Sequence, residues 1–150
     1  MIKNFLSFKI LSLTNKFFGN LIALMFAILS IGIVYALFIS PPDHIQGDSV
    51  RIMYVHVPSS FIALGCFAFI GFASICNLIF KIKFISLMAR SLAIIGLIFN
   101  LISIVTGSLW GKPTWGTWWA WDARITSMLI LFFLYTLYLL CFRIFEDQNK

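Results

Sequence analysis

Long apolar runs alternate with short polar segments along this chain of 150 residues. A helix of about 20 apolar residues crosses the roughly 30 Å hydrocarbon core of a bilayer, and four of the runs are long enough to do so. We predict spans at about 21–39, 57–80, 88–109 and 125–145. The pattern predicts an all-α integral membrane protein, a four-helix transmembrane bundle that forms one domain over residues 1–150.

The polar segments before the first apolar run and between the second and third runs are basic. Residues 1–18 carry three lysines and no acidic residue, which is typical of a basic, amphipathic, cytoplasmic start. The first apolar run is too long for the core of a signal peptide, and no clear small-x-small cleavage site follows it. We therefore interpret that run as a retained signal anchor. A basic loop separates the second and third runs, and a polar tail at 146–150 follows the fourth.

The amino-acid composition is that of a membrane protein rather than of a soluble one. The chain is 61% hydrophobic and only 11% charged, whereas a soluble domain carries about 25% charged residues. The net charge is +6, but the basic residues are dispersed at the ends of apolar runs. Such dispersal indicates membrane topology and excludes a nucleic-acid surface.

Lysine and arginine counts set the predicted orientation. With the N-terminus inside, the inner segments hold eight basic residues and the outer loops three. The eight are Lys3, Lys9, Lys16, Lys81, Lys83, Arg90, Arg143 and Lys150, and the three are Arg51, Lys112 and Arg124. By the positive-inside rule the N-terminus is cytoplasmic and the loops 40–56 and 110–124 face outward. In a bacterium this is a multi-pass inner membrane protein whose two outer loops face the periplasm.

The second outer loop contains every tryptophan of the chain. All five fall within twelve residues, at Trp110, Trp115, Trp118, Trp119 and Trp121. Interfacial anchoring explains one or two tryptophans at a helix end, but it does not explain five on one side of the membrane. The cluster forms a flat aromatic surface with indole N–H donors at its edges, which suits a flat aromatic ligand with a polar rim, such as haem.

Glycine and proline suggest how this loop is shaped. Gly111, Pro113 and Gly116 are expected to break regular helix, so that the loop folds over the membrane surface. From Thr117 onward a helical turn is possible. It would place Trp115, Trp118 or Trp119, and Asp122 on one face by the three-to-four residue spacing. Trp121 would then project elsewhere, toward the lipid boundary.

His56 closes the first outer loop. Pro58 is expected at the first position of the second helix, because its missing N–H costs nothing there, so His56 should lie just outside that helix at the membrane–water boundary. Its imidazole could ligate haem iron axially through one ring nitrogen. The alternative is an interfacial histidine hydrogen-bonded to a neighbouring loop. His44 lies in a more hydrophilic stretch and is expected to be solvated.

Charged residues of the second loop suit the rim of such a ligand. The planar guanidinium of Arg124, or the ammonium of Lys112, could meet haem propionates. Asp122 precedes the fourth apolar run, so it could cap that helix. It could equally orient Arg124, a tryptophan N–H or a backbone turn, and the two roles are compatible.

Several classes of chemistry are absent from the sequence. No Gly-rich phosphate loop ending in Lys-Ser/Thr is present, so any ATP would be used by a partner. No Ser/His/Asp set is evident, and we do not expect an enzyme. Covalent c-type haem attachment is excluded, because no Cys-x-x-Cys-His occurs. The three cysteines, at Cys66, Cys76 and Cys141, lie in apolar runs and are expected to be small hydrophobes without a disulfide.

Two motifs resemble a known family. WGKPTWGTWWAWDARITS at 110–127 resembles the tryptophan-rich WWD signature of haem-handling membrane proteins. Within that group, Asp122-Ala123-Arg124 is similar to the haem exporter protein C (CcmC) family, whereas its relatives usually continue with Asp-Pro. PPDHIQGDSVRIMYVHVP at 41–58 resembles that family's first periplasmic loop and the start of its second span. The resemblance covers essentially the whole chain.

The resemblance implies a function in cytochrome c maturation. It implies that haem b is bound non-covalently at the periplasmic membrane surface, with 110–124 as the platform and His56 as the first of two periplasmic histidine ligands to the iron. The cofactor-binding residues would be His56, Trp110, Trp115, Trp118, Trp119, Trp121, Asp122 and Arg124. The implied partners are haem chaperone E and the membrane and ATPase subunits of an ABC-type complex, whose ATPase drives release of the loaded chaperone.

The family pattern also extends beyond this sequence. The resemblance implies six spans and a second haem histidine in a later periplasmic loop, whereas this sequence ends after its fourth predicted span. We interpret the chain as truncated after that span, which leaves the platform and one ligand. The alternatives are a split-gene or non-functional fragment, a structural transporter subunit that binds no haem, and a relative that binds a quinone in the same aromatic pocket.

Overall fold

Four long helices make up the described part of the chain. The computed structural model describes the backbone of residues 2–148 and the side chains of residues 15–82 and 84–144. In chain order the helices are α1 (Ile2–Val34, followed by a π-helical turn at Tyr35–Ile39), α2 (Val50–Phe80), α3 (Lys83–Trp115) and α4 (Ala123–Gln148). No β-strand occurs among these residues. The side chains of Lys3, Lys9, Lys83 and Lys150, which enter the orientation prediction, lie outside the described set.

Each helix contains a segment long and apolar enough to cross a membrane. These segments are Asn15–Ile39, Val50–Phe80, Phe84–Trp115 and Ala123–Ile144, of 25, 31, 32 and 22 residues. The predicted class, an all-helical membrane protein with four spans, is confirmed. The chain divides into two compact units, Met1–Ser40 and Pro41–Lys150, and the second unit holds α2, α3 and α4.

A stripe of mostly small residues runs along the face that α3 buries. Its members recur every three or four positions: Ala89, Ala93, Gly96, Asn100, Ser103, Gly107 and Gly111. Small side chains let helix backbones approach closely, which is how helices associate where water supplies no hydrophobic drive between them. On α2 the buried residues include Ser59, Ala63 and Ala73. The stripe therefore brings the polar side chains of α2 and α3 within hydrogen-bonding distance.

Tyr135 of α4 joins the three helices of the second unit. Its side chain is fully buried, and its hydroxyl donates a hydrogen bond of 2.6 Å to the carbonyl oxygen of Ala63 on α2. The phenol ring lies against Gly96 of α3, where any β-carbon would overlap the ring. The ring of Phe67 on α2 meets it edge-on, with 5.3 Å between the centroids. The missing side chain at Gly96 is therefore what admits the tyrosine.

Two helix ends differ from the sequence prediction. α2 begins at Val50, so Pro58 lies inside the helix and His56 is helical rather than just outside it. α3 continues through Gly111 and Pro113 to Trp115 and ends at Gly116, whose φ of 74° is left-handed. The expected loop at 110–124 is thus wrong for its first half. Each proline removes one N–H donor, so the helix loses one hydrogen bond at that position and keeps its other hydrogen bonds.

Candidate functional site

A cavity of about 320 Å³ opens between α2, α3 and α4 at the end of the second unit that carries the tryptophans. Apolar side chains and ring faces form most of its wall, with a few polar groups among them. The lining residues are His56, Ser60, Leu64, Ser103, Ile104, Gly107, Trp110, Trp115, Arg124, Ile125, Ser127 and Met128. Ligand pockets of proteins have this character, and their volumes begin at about 300 Å³.

His56 reaches from α2 to the backbone of α3. Its Nδ1 lies 2.9 Å from the carbonyl oxygen of Ser103 and 3.1 Å from Oγ1 of Thr106. A carbonyl oxygen can only accept, so Nδ1 carries the proton and donates it. In the neutral imidazole Nε2 then keeps a free lone pair. This is how metal-binding histidines are prepared elsewhere, with one ring nitrogen held by an oxygen acceptor and the other left to ligate.

The imidazole is held in place from two further sides. Gly107 lies under the ring: a β-carbon at this position would be 2.9 Å from Cε1 of His56. One turn further along α2, the hydroxyl of Ser60 donates to the carbonyl oxygen of His56 at 2.9 Å and pairs with the hydroxyl of Ser103 at 2.6 Å. The bond within α2 orients the Ser60 hydroxyl, and the bond to Ser103 joins α2 to α3 one turn from the His56 ring.

Two of the five tryptophans form an aromatic wall beside this histidine. The rings of Trp110 and His56 are 6.2 Å apart at 30°, and those of Trp110 and Trp115 are 5.1 Å apart at 68°. The guanidinium carbon of Arg124 lies 4.6 Å above the Trp115 ring, a cation–π contact. His56, Trp110, Trp115 and Arg124 all line the cavity, and we call these four residues the cavity wall.

Asp122 both caps α4 and holds Arg124, so both roles considered for it occur. Its Oδ1 accepts the backbone N–H groups of Arg124 at 3.0 Å and Ile125 at 3.1 Å. Its Oδ2 accepts from Nε and Nη2 of Arg124 at 3.1 and 2.6 Å. The Ile125 N–H and the Arg124 guanidinium hold the pKa of this carboxyl below its usual value. The other edge of the guanidinium has no hydrogen bond to a described residue, which leaves donors for an anion.

The other three tryptophans lie apart from the cavity. Trp118 and Trp121 are 55% and 79% exposed, and Trp119 meets Trp121 edge-on at 5.6 Å. Nζ of Lys112 lies 5.9 Å from the Trp118 ring. The helical turn considered possible from Thr117 does not form. The backbone is irregular from there to Asp122, and the Ser108 hydroxyl donates a hydrogen bond of 2.6 Å to the Trp118 carbonyl oxygen. These three tryptophans do not line the cavity, and we call them the outer group.

Sequence reasoning missed several residues that shape the site. Gln46 accepts the indole N–H of Trp110 at 3.0 Å, and Ser60, Ser103 and Gly107 position His56. For the two serines a signal existed, because polar residues inside a membrane span commonly have a function. His44, expected to be solvated, is exposed.

Comparison with known proteins gives one consistent result. The model of the family described as "Heme exporter protein C" matches residues 4–150. A protein named "Heme exporter protein C" from Haemophilus influenzae is 45% identical over 126 residues, 84% of this chain and 51% of the relative. Its namesake from Escherichia coli K12 is 41% identical over 122 residues, 81% and 50% of the two chains. The one from Bradyrhizobium diazoefficiens is 36% identical over 142 residues, 95% and 54%. The chain thus spans about half the length of the curated relatives it matches.

Proposed function

Because this chain belongs to the haem exporter protein C family, we propose that its cavity binds haem b non-covalently and presents it for cytochrome c maturation. The observation that carries the proposal is the state of His56. Its Nδ1 is committed to a carbonyl acceptor of α3, so Nε2 offers a lone pair in an aromatic cavity. Histidine is a common axial ligand of haem iron.

The residues around His56 suit the rest of the haem. The faces of Trp110 and Trp115 would contact the macrocycle and exclude water, and the free edge of the Arg124 guanidinium would meet a propionate. Asp122 holds that guanidinium in a fixed plane through two hydrogen bonds. Preorganisation of this kind lowers the entropic cost of forming a charge-assisted contact.

The same geometry supports presentation rather than storage. The cavity has a volume of about 320 Å³, so it would take up part of a haem and leave one edge outside, where a partner could reach it. That partner would be haem chaperone E, with the cavity on the periplasmic side of a bacterial inner membrane and the N-terminus in the cytoplasm. The chain itself would catalyse no covalent step in this scheme, and the ATPase would be a subunit of an ABC-type complex.

A haem titration with paired tryptophan variants tests the proposal. The detergent-purified chain is expected to bind haem saturably with a Soret band. Trp115→Leu removes a wall ring that also supports Arg124 and is expected to weaken affinity about tenfold, since contacts of this kind contribute about 1 kcal/mol each.

Trp121→Leu is the matched control. It removes the same side chain from the outer group, where the ring is 79% exposed, and should leave affinity within about twofold. A parent without a saturable band, as a purely structural transporter subunit or a quinone-binding relative would give, contradicts the proposal. Equal losses in the two variants contradict the assignment of the wall.

A further inference from the structure

We infer that Gln46, in the segment that leads into α2, is a positioning residue of the cavity wall: it fixes the ring of Trp110 beside His56. The inference rests on the proposed function and adds to it a residue outside the tryptophan motif. Its basis is one long-range hydrogen bond, from Nε1–H of Trp110 to Oε1 of Gln46 at 3.0 Å, which joins residues 64 positions apart.

The backbone around Gln46 forms a turn closed by hydrogen bonds. Asp43 and Gly47 exchange two backbone hydrogen bonds, each of 3.0 Å, and Gly47 has a left-handed φ of 58°. Inside the turn Oδ1 of Asp43 accepts the N–H groups of Ile45 at 2.9 Å and of Gln46 at 2.8 Å. The hydrogen bonds within the turn therefore hold the backbone of Gln46 independently of the contact between its side chain and Trp110.

The side chains of this turn differ in their exposure to solvent. Ile45 is 94% exposed and His44 is exposed, whereas Gln46 is half-buried against the end of α3. The hydrogen bond to Trp110 connects this turn with the cavity wall. The hydrogen bonds of Asp43 already close this turn, so the hydrogen bond from Trp110 to Gln46 is not needed to close it. We therefore assign that hydrogen bond to the positioning of Trp110.

Trp110 is the wall residue whose orientation matters most. Its ring contacts both His56 and Trp115, so a rotation of the indole changes the wall on both sides. Trp110 lies in the last two turns of α3. An acceptor fixed at Nε1 selects one orientation, and it also prevents that N–H from competing for a haem propionate.

Two substitutions at Gln46 separate the hydrogen bond from the bulk of the side chain. Gln46→Glu keeps an oxygen acceptor for the indole N–H, and Gln46→Met keeps the length without a comparable acceptor. We expect Gln46→Met to weaken haem affinity about fivefold, which corresponds to one net hydrogen bond, and to broaden the electron paramagnetic resonance lines of the ferric haem. Gln46→Glu should restore both, and Ile45→Ala in the same turn should change neither.

A second measurement on the haem-free protein follows the bond itself. Solvent exchange of the Trp110 indole N–H, observed by nitrogen-15 NMR, should accelerate in Gln46→Met and stay slow in Gln46→Glu. Haem affinity and resonance lines that are identical in parent and Gln46→Met overturn the inference while the proposed function stands. A parent that binds no haem overturns the proposed function and, with it, the role given to Gln46, whatever the indole exchange shows.

Discussion

His56→Ala is expected to lower haem affinity by more than about a hundredfold and to remove the nitrogen ligand from the spectrum of the bound iron. Under the proposed function Nε2 is the atom that binds the metal, and removing a supporting residue of a metal ligand already costs about 10- to 100-fold. Loss of the ligand itself should cost more. An absorption titration of the purified chain measures both effects, because the Soret band shifts when an axial nitrogen is lost.

Two controls make this result specific to coordination. His44→Ala removes the exposed histidine of the first outer segment and should leave the titration unchanged. Free imidazole added to His56→Ala should enter the space left by the side chain and recover the spectrum of the parent. An unchanged Soret band in His56→Ala would show that the iron is bound elsewhere.

Gly96→Ala is expected to destabilise the second unit by about 3 kcal/mol. The new β-carbon would overlap the ring of Tyr135, which is fully buried and cannot move aside without leaving Ala63. Overpacking of a core costs about 1–3 kcal/mol, and a hydrogen bond between membrane helices adds about 0.6–1.7 kcal/mol. The free energy of unfolding in detergent, followed by circular dichroism against denaturant, measures the loss.

Another glycine of the same unit provides the matched control. A β-carbon at Gly71 would have no described group within 4 Å apart from its chain neighbours and the backbone of its own helix, so Gly71→Ala should be neutral or slightly stabilising, because alanine favours helix. Combining Gly96→Ala with Tyr135→Leu should cost less than the sum of the two single changes, since leucine vacates the overlapped space. Equal costs for Gly96→Ala and Gly71→Ala would contradict this account of Tyr135.

The sequence predicted the helices well and their ends poorly. Long apolar runs identify spans because burying an unpaired backbone in lipid is prohibitive, so the chain has few alternatives to helix. Pro58 and Pro113 suggested helix boundaries, yet both lie inside helices. A proline costs a helix one hydrogen bond, and residues on either side decide whether the helix continues. Here Val50 to Val57, and Thr114 with Trp115, extend it.

The sequence indicated which residues could form the candidate site, but not which other residues each of them contacts. His56 and the tryptophans could be selected from local motifs, because clustering of rare residues is visible in one stretch of sequence. The division of the tryptophans into two groups was not, since it depends on where α3 ends, at Gly116. Ser103, Gly107 and Gln46 act on residues 47 to 64 positions away, and no local pattern reports such pairings.

Under the proposed function, the hydrogen bond between the His56 ring and the backbone of α3 would couple iron binding to the correct packing of α2 against α3. Only a correctly registered pair of helices places this carbonyl at Nδ1, and that contact favours the tautomer that would leave Nε2 free for iron. Thermodynamic linkage makes this coupling reciprocal: haem at a hundred times its dissociation constant adds about 2.7 kcal/mol to the stability of the packed state. A helix pair displaced by one turn would then lose ligand and stability together, so haem would bind the correctly packed helices in preference to misaligned ones.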